Sequence, residues 1–263
     1  MERDPFEGGS DVGLDLARDL GEAPPAAIRD AAPDVLAPID ADAPVSGHVP
    51  APTASRAMAD APEHDWSTAR DLVQPNFRPL GTHGLALDSF DRESLQAHSS
   101  SSHAQPIVDT GPAGLPVVYT IPAGGFDIVV NGEHVLSWGI EPVELQDAAL
   151  RNLAAWASSA AWTEETSGER RLISSQTGEG QDAARILLPD AVAYLAGHLG
   201  DGARVLIGLP ERDLLTAASL RPDDPDFAAL FAEFIVEQSG GADEPIDRRV
   251  FELVDGRLVE FSG

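Results

Sequence analysis

The sequence predicts an α+β domain. It reads as a mostly antiparallel sheet built from hairpins, with about three helices packed on it and a disordered acidic N-terminal region in front. Three observations lead there. In the second half of the chain, short apolar runs come in pairs around turn residues. Single segments of helical period separate those pairs. Before residue 65 the large apolar residues thin out, and alanine, proline and aspartate dominate. Strands paired through short turns favour an antiparallel sheet over a parallel α/β one.

Residues 1–64 read as a disordered Ala/Pro/Asp-rich acidic region. Pro33, Pro38, Pro44, Pro50, Pro52 and Pro62 interrupt any helix or ladder. Val12 to Leu20 carries a short apolar stripe, either a frayed helix or a partner-docking segment. Residues 65–110 read as a partly ordered linker segment. Trp66, Leu72, Val73, Phe77 and Leu80 give it material to pack on the domain, and Gln74 to Thr82 reads as extended chain with turns. The serine run Ser99 to Ser102, between His98 and His103, reads as a flexible connection.

Residues 111–263 carry the α+β domain. Leu115 to Ile121 is a buried strand. Phe126 to Val130, Asn131-Gly132 and His134 to Trp138 have the signature of a hairpin. Pro142 to Ser158 is a helix with Leu145, Ala149, Leu153 and Trp156 on one stripe. Trp162 to Glu165 and Arg170 to Ser175 are strands around Ser167-Gly168. Asp182 to Leu188 is a helix that Pro189 to Leu199 continues or restarts. Ala203 to Leu209 and Leu214 to Leu220 form a second strand pair. Phe227 to Gln238 is a helix with Phe227, Leu230, Phe231, Phe234 and Ile235 on one face and Asp224 as its cap. Arg249 to Val254, Asp255-Gly256 and Arg257 to Phe261 close the chain as a hairpin.

Composition excludes several functions. The chain has 44 acidic residues against 17 basic ones, all arginine, and a formal charge of −27. The acidity is spread, −12 over residues 1–110 and −15 over residues 111–263. Such a surface repels phosphate backbones, so no nucleic-acid partner is expected. With no cysteine there is no disulfide and no thiolate chemistry. No run approaches the ~20 apolar residues of a membrane helix, and no signal peptide is visible, so the expected location is cytoplasmic.

Motif by motif, no catalytic residue is assigned and no cofactor or metal is expected. His-Glu-x-x-His, Gly-x-Ser-x-Gly, the phosphate loop and Gly-x-Gly-x-x-Gly are all missing. The densest charged constellation is Glu164, Glu165, Glu169, Arg170, Arg171, Asp182 and Arg185. One reading is an anion- or partner-binding site made by Arg170, Arg171, Ser174, Ser175, Thr177, Asp182 and Arg185 at a helix start. The other is a helix cap with surface ion pairs. Glu211, Arg212 and Asp213 form a turn cluster that suits either acid/base work or turn capping. Asp223-Asp224-Pro225-Asp226 lacks the ligand spacing of a calcium loop and reads as capping. Trp138, Trp156 and Trp162 are expected together, as core or as a binding patch.

Four segments carry a family resemblance: Asp147 to Leu153, Gln181 to Leu187, Arg204 to Pro210 with Asp213 to Leu215, and Phe251 to Gly256. In order and spacing they resemble the YtpQ-like family of uncharacterised bacterial proteins, a domain of unknown function, over roughly residues 115–261. The resemblance implies a cytoplasmic bacterial protein with an α+β domain, and it brings no reaction, cofactor or catalytic residue. The proline-rich front departs from the family pattern.

The function expected from these features is a non-enzymatic protein-interaction or regulatory module. A basic partner would be favoured electrostatically. The alternative is an enzyme or small-molecule-binding protein using the Ser174–Arg185 region as an anion site.

Overall fold

The computed structural model describes residues 61–97 and 103–263. The expectations for residues 1–60, the Val12–Leu20 stripe among them, and for the serine run Ser99–Ser102 lie outside the described residues. The fold is α+β, with two mostly antiparallel sheets. Among the described residues there are six helices rather than about three: α1 (Trp66–Ala69), α2 (Arg92–Ala97), α3 (Gly132–Trp138), α4 (Pro142–Ala157), α5 (Pro189–Leu199) and α6 (Asp226–Gly241). No described helix is long and apolar enough to cross a membrane.

The first sheet is centred on β4 (Pro116–Pro122). Its neighbour on one side is β1 (Gln74–Phe77), which pairs Phe77 with Val117 and Gln74 with Thr120. On the other side β3 (Ile107–Thr110) pairs Asp109 with Val117, and β5 (Asp127–Val129) pairs Ile128 with Ile121. The two-residue β2 (Leu85–Ala86) adds a parallel edge to β3. Three of these strands come from the segment read as a linker. One face of β4, with Tyr119 and Ile121, packs on Leu145, Ala148 and Ala149 of α4. Proline at the first position of α4 and reciprocal Glu141–Glu144 capping fix where that helix starts.

The second sheet is a six-stranded antiparallel array in the order β11-β10-β8-β9-β7-β6. It is built from three hairpins the sequence marks: β6 (Thr163–Ser167) with β7 (Arg170–Ser175), β8 (Arg204–Glu211) with β9 (Leu214–Leu220), and β10 (Val250–Val254) with β11 (Arg257–Glu260). Successive strand residues face opposite sides. Val205, Ile207 and Leu209 therefore join one core with Leu195 and Leu199 of α5, while Leu206 joins Phe231 and Ile235 of α6 on the other face. At Gly208 a Cβ would sit 2.0 Å from the Cδ1 of Ile235, so glycine lets α6 approach the sheet. On α6, Leu230 lies outside the buried face the periodicity assigns to it and is about half exposed.

Two predicted elements are corrected. Asn131-Gly132 does not turn a hairpin. The Asn131 side chain accepts the His134 N–H and starts α3, because asparagine is as good a helix cap as a turn residue. The expected helix at Asp182–Leu188 is a single 3-10 turn, Ala183–Leu187. Pro189 holds Leu188 extended (φ −90°, ψ 125°), which ends the turn and restarts the chain as α5. The Asp224 carboxylate, expected as the cap of α6, is taken up chiefly by the Arg170 guanidinium, with the Phe227 N–H of the helix start a lesser partner.

The α3 cap is reciprocal, since the Asn131 N–H donates to Nδ1 of His134. Burial, against the nearby Glu63 and Glu133, pulls the His134 imidazole below its ordinary value. The neutral ring is the accepting form. Its stabilisation is thus complete above the unfolded value of about 6.5 and is lost as the pH falls through it toward the folded one. His134→Gln keeps an acceptor at this position. Urea unfolding should weaken less between about pH 7.5 and about pH 5 in His134→Gln than in the parent chain; equal weakening would contradict the cap.

Candidate functional site

Of the residues of the expected anion site, Arg170, Arg171, Ser174 and Ser175 lie on β7 and alternate between its two faces. Arg170 forks onto Asp224 and lies over the Phe227 ring of α6, 5.0 Å from its centroid. The Asp224 carboxyl is held below its usual range by that hydrogen bond. Arg171 faces the other way, pairing with Glu164 and donating to the His198 carbonyl at 2.6 Å. Adjacent strand residues cannot clasp one anion between them. Ser174 shares the Arg170 face and stands opposite Thr216 in the β7–β9 ladder.

Ser175, Thr177, Asp182 and Arg185 do come together, beneath the surface. The fully buried Asp182 accepts from the Ser175 hydroxyl at 2.5 Å and from the N–H and hydroxyl of Thr177 at 3.0 and 2.8 Å. Arg185, also buried, donates to the Ser175 Oγ at 2.7 Å and to the carbonyls of Ala160 and Ala161. Its guanidinium lies 3.6 Å from the centroid of Trp162, which stacks in turn on Tyr194. Burial pulls the Arg185 guanidinium below its ordinary value, with Asp182 acting against it. The arrangement is a relay, Arg185 to Ser175 to Asp182, that neutralises two buried charges through one hydroxyl. It pins the Ala183–Leu187 turn. Trp138 takes no part: it packs in a separate cluster, tilted against Trp66 and stacked on His134.

Glu211, Arg212 and Asp213 occupy the β8–β9 turn as a structural junction. Arg212 pairs with Asp127 of β5 and with Glu244, and donates to the Gly180 carbonyl at 2.8 Å. Asp213 accepts the Gly180 N–H. These residues line a cleft of about 840 Å³ with six carboxylates, from Asp127, Glu179, Glu211, Asp213, Asp243 and Glu244, and two arginines. Both arginines, Arg78 and Arg212, are paired. Burial, Asp213 and Asp243 push the Glu211 carboxyl up. Phe126 stands at the cleft, two-thirds exposed. Among the described residues, no group of three or more His, Asp or Glu side chains is placed to hold a metal ion.

A second cleft, of about 620 Å³, was not marked by any sequence motif. It opens between the first sheet, α4, the Ala183–Leu187 turn and α5, and its walls are mostly apolar: Val117, Leu150, Ile186, Leu187 and Val192. Asp109, Tyr119 and Gln146 supply a polar corner. Both the Tyr119 hydroxyl and the Gln146 amide donate to Asp109 Oδ2, at 3.1 and 2.9 Å. Burial, and then the Asp109 charge, push the Tyr119 phenol far above its ordinary value, so it stays a donor. Asp109 stands opposite Val117 across the β3–β4 ladder, which puts it diagonally beside Tyr119 on one face. The available signal was the short branched run Ile107-Val108 ahead of Asp109, with Gln146 next to the apolar stripe of α4.

No protein-family model, curated protein or solved structure matches the chain. The YtpQ-like resemblance rests on its four sequence segments.

The burial of Arg185 separates structure from ligand binding. Arg185→Ala leaves Asp182 and Ser175 without their partner and should lower the unfolding free energy by roughly 3 kcal/mol or more. Arg185→Lys should recover little of this, because an ammonium cannot stack flat on Trp162. Urea denaturation reads both; an Arg185→Ala chain as stable as the parent would contradict the relay.

Proposed function

We propose that the chain is a non-enzymatic binding module whose inter-sheet cleft holds a small, largely apolar ligand. The observation that carries this is the union of apolar walls with a single polar corner in a cavity of about 620 Å³, the size and make-up typical of ligand pockets. The corner suits recognition better than turnover. Tyr119 is held protonated, and Asp109 is occupied by donors from the protein itself. Nile red, a neutral apolar fluorophore, should bind saturably. Ala196→Trp places an indole at the cleft from an exposed position on α5. It should weaken Nile red by about tenfold, or ~1.4 kcal/mol, without changing stability. Equal binding by the two chains would contradict this site.

A second reading, docking of a basic protein segment, is favoured by exposed Phe126 beside the six carboxylates of the acidic cleft. Aromatic anchors dominate such contacts, and opposite charge guides the approach. A fluorescent arginine-rich peptide carrying one leucine should bind more weakly to Phe126→Ser, and its affinity should fall as salt rises. An affinity indifferent to both changes would rule this surface out.

A further inference from the structure

We propose that the ligand of the inter-sheet cleft is a primary amine on an apolar body, its ammonium paired with Asp109; this rests on the cleft being a ligand site. Asp109 is the one charged side chain among the described residues that line it. Three donors hold its carboxylate: the Thr110 N–H on Oδ1 at 2.7 Å, and Tyr119 and Gln146 on Oδ2 at 3.1 and 2.9 Å. A carboxylate accepts about four hydrogen bonds, so Oδ1 keeps capacity for one more. All three donors are neutral. Among the described residues, each arginine ion pair goes to a carboxylate other than Asp109. The carboxylate lining this apolar cavity therefore has orientation and, among the described residues, no counter-ion.

That combination selects a ligand class. An anion would meet Asp109 with no cation to offset it. A neutral apolar molecule would fill the walls but leave the charge unpaired, and so bind less tightly than one that also pairs it. An ammonium with an apolar body satisfies both ends, through a charge-assisted hydrogen bond to Oδ1 and burial against Leu150, Ile186 and Val192. The protein's net charge of −27 also concentrates cations around it. The same charge could draw amines to the surface at large, and the test has to separate the two.

Calorimetric titration of the full chain with n-octylamine and, in parallel, with 1-octanol distinguishes them. The parent chain should take octylamine about tenfold to a hundredfold more tightly than octanol, the range expected for a hydrogen bond to a charged group. Asp109→Asn should bring the two affinities together while octanol still binds, which also shows that the cleft is intact. Ala196→Trp, at an exposed helix position, should weaken both. Equal affinities in the parent chain would overturn the amine inference and leave the cleft as a ligand site. Binding of neither probe would overturn the cleft reading itself. An octylamine preference that survives Asp109→Asn, or octylamine binding that Ala196→Trp leaves unweakened, would assign it to the acidic surface and overturn the proposal.

Discussion

The structure depends on keeping one short buried turn, Ala183–Leu187, in place. It packs between α4, α5, β1 and β9, with Ala183, Ala184, Arg185 and Ile186 all buried. A 3-10 turn has too few internal hydrogen bonds to stand alone, and this one is clamped by its side chains. Asp182 just before it is tied to Ser175 and Thr177, and Arg185 within it to Ser175, Ala160, Ala161 and Trp162. The constellation that looks in sequence like an anion site thus spends its charges on each other. What the clamp sets, through Ile186 and Leu187, is one wall of the apolar cleft.

The two clefts differ in how they treat charge. In the acidic one, carboxylates outnumber arginines six to two, yet Arg212 ties Asp127, Gly180 and Glu244 into one junction. Much of that acidity therefore organises the β8–β9 turn and the loop after α6. In the apolar cleft a single carboxylate is positioned by three neutral donors, with no cationic partner among the described residues. This difference in how the carboxylates are partnered separates the two cavities as candidate sites.

Much of the second sheet was legible in the sequence. Its hairpins turn on strong local signals, as at Asp255-Gly256, where both residues adopt the positive φ (49° and 74°) of a tight hairpin turn. The helices α4 and α6 were legible for the same reason, through long runs of helical period. The first sheet was not. β1 carries Pro75, β2 has two residues, and β3 is four residues long, so tertiary pairing with β4 rather than local pattern makes them strands. Missing β3 meant missing Asp109. Asn131-Gly132 misled because its residues suit both a turn and a cap, and only the contact with His134 decides between them. The Arg170–Arg185 constellation was visible as composition. That its members diverge followed from strand alternation and from the burial of Arg185, neither of which charge density reveals.

The central claim is that Asp109 is a counter-ion waiting for a cationic ligand. The most direct measurement is a crystal structure of the chain grown with n-octylamine. The account predicts the amine nitrogen within about 3 Å of Asp109 Oδ1, with the alkyl chain lying between Leu150 of α4 and Val192 of α5. An empty inter-sheet cleft with octylamine bound instead among the carboxylates near Phe126, or a chain reversed so that its methyl end meets Asp109, would contradict it.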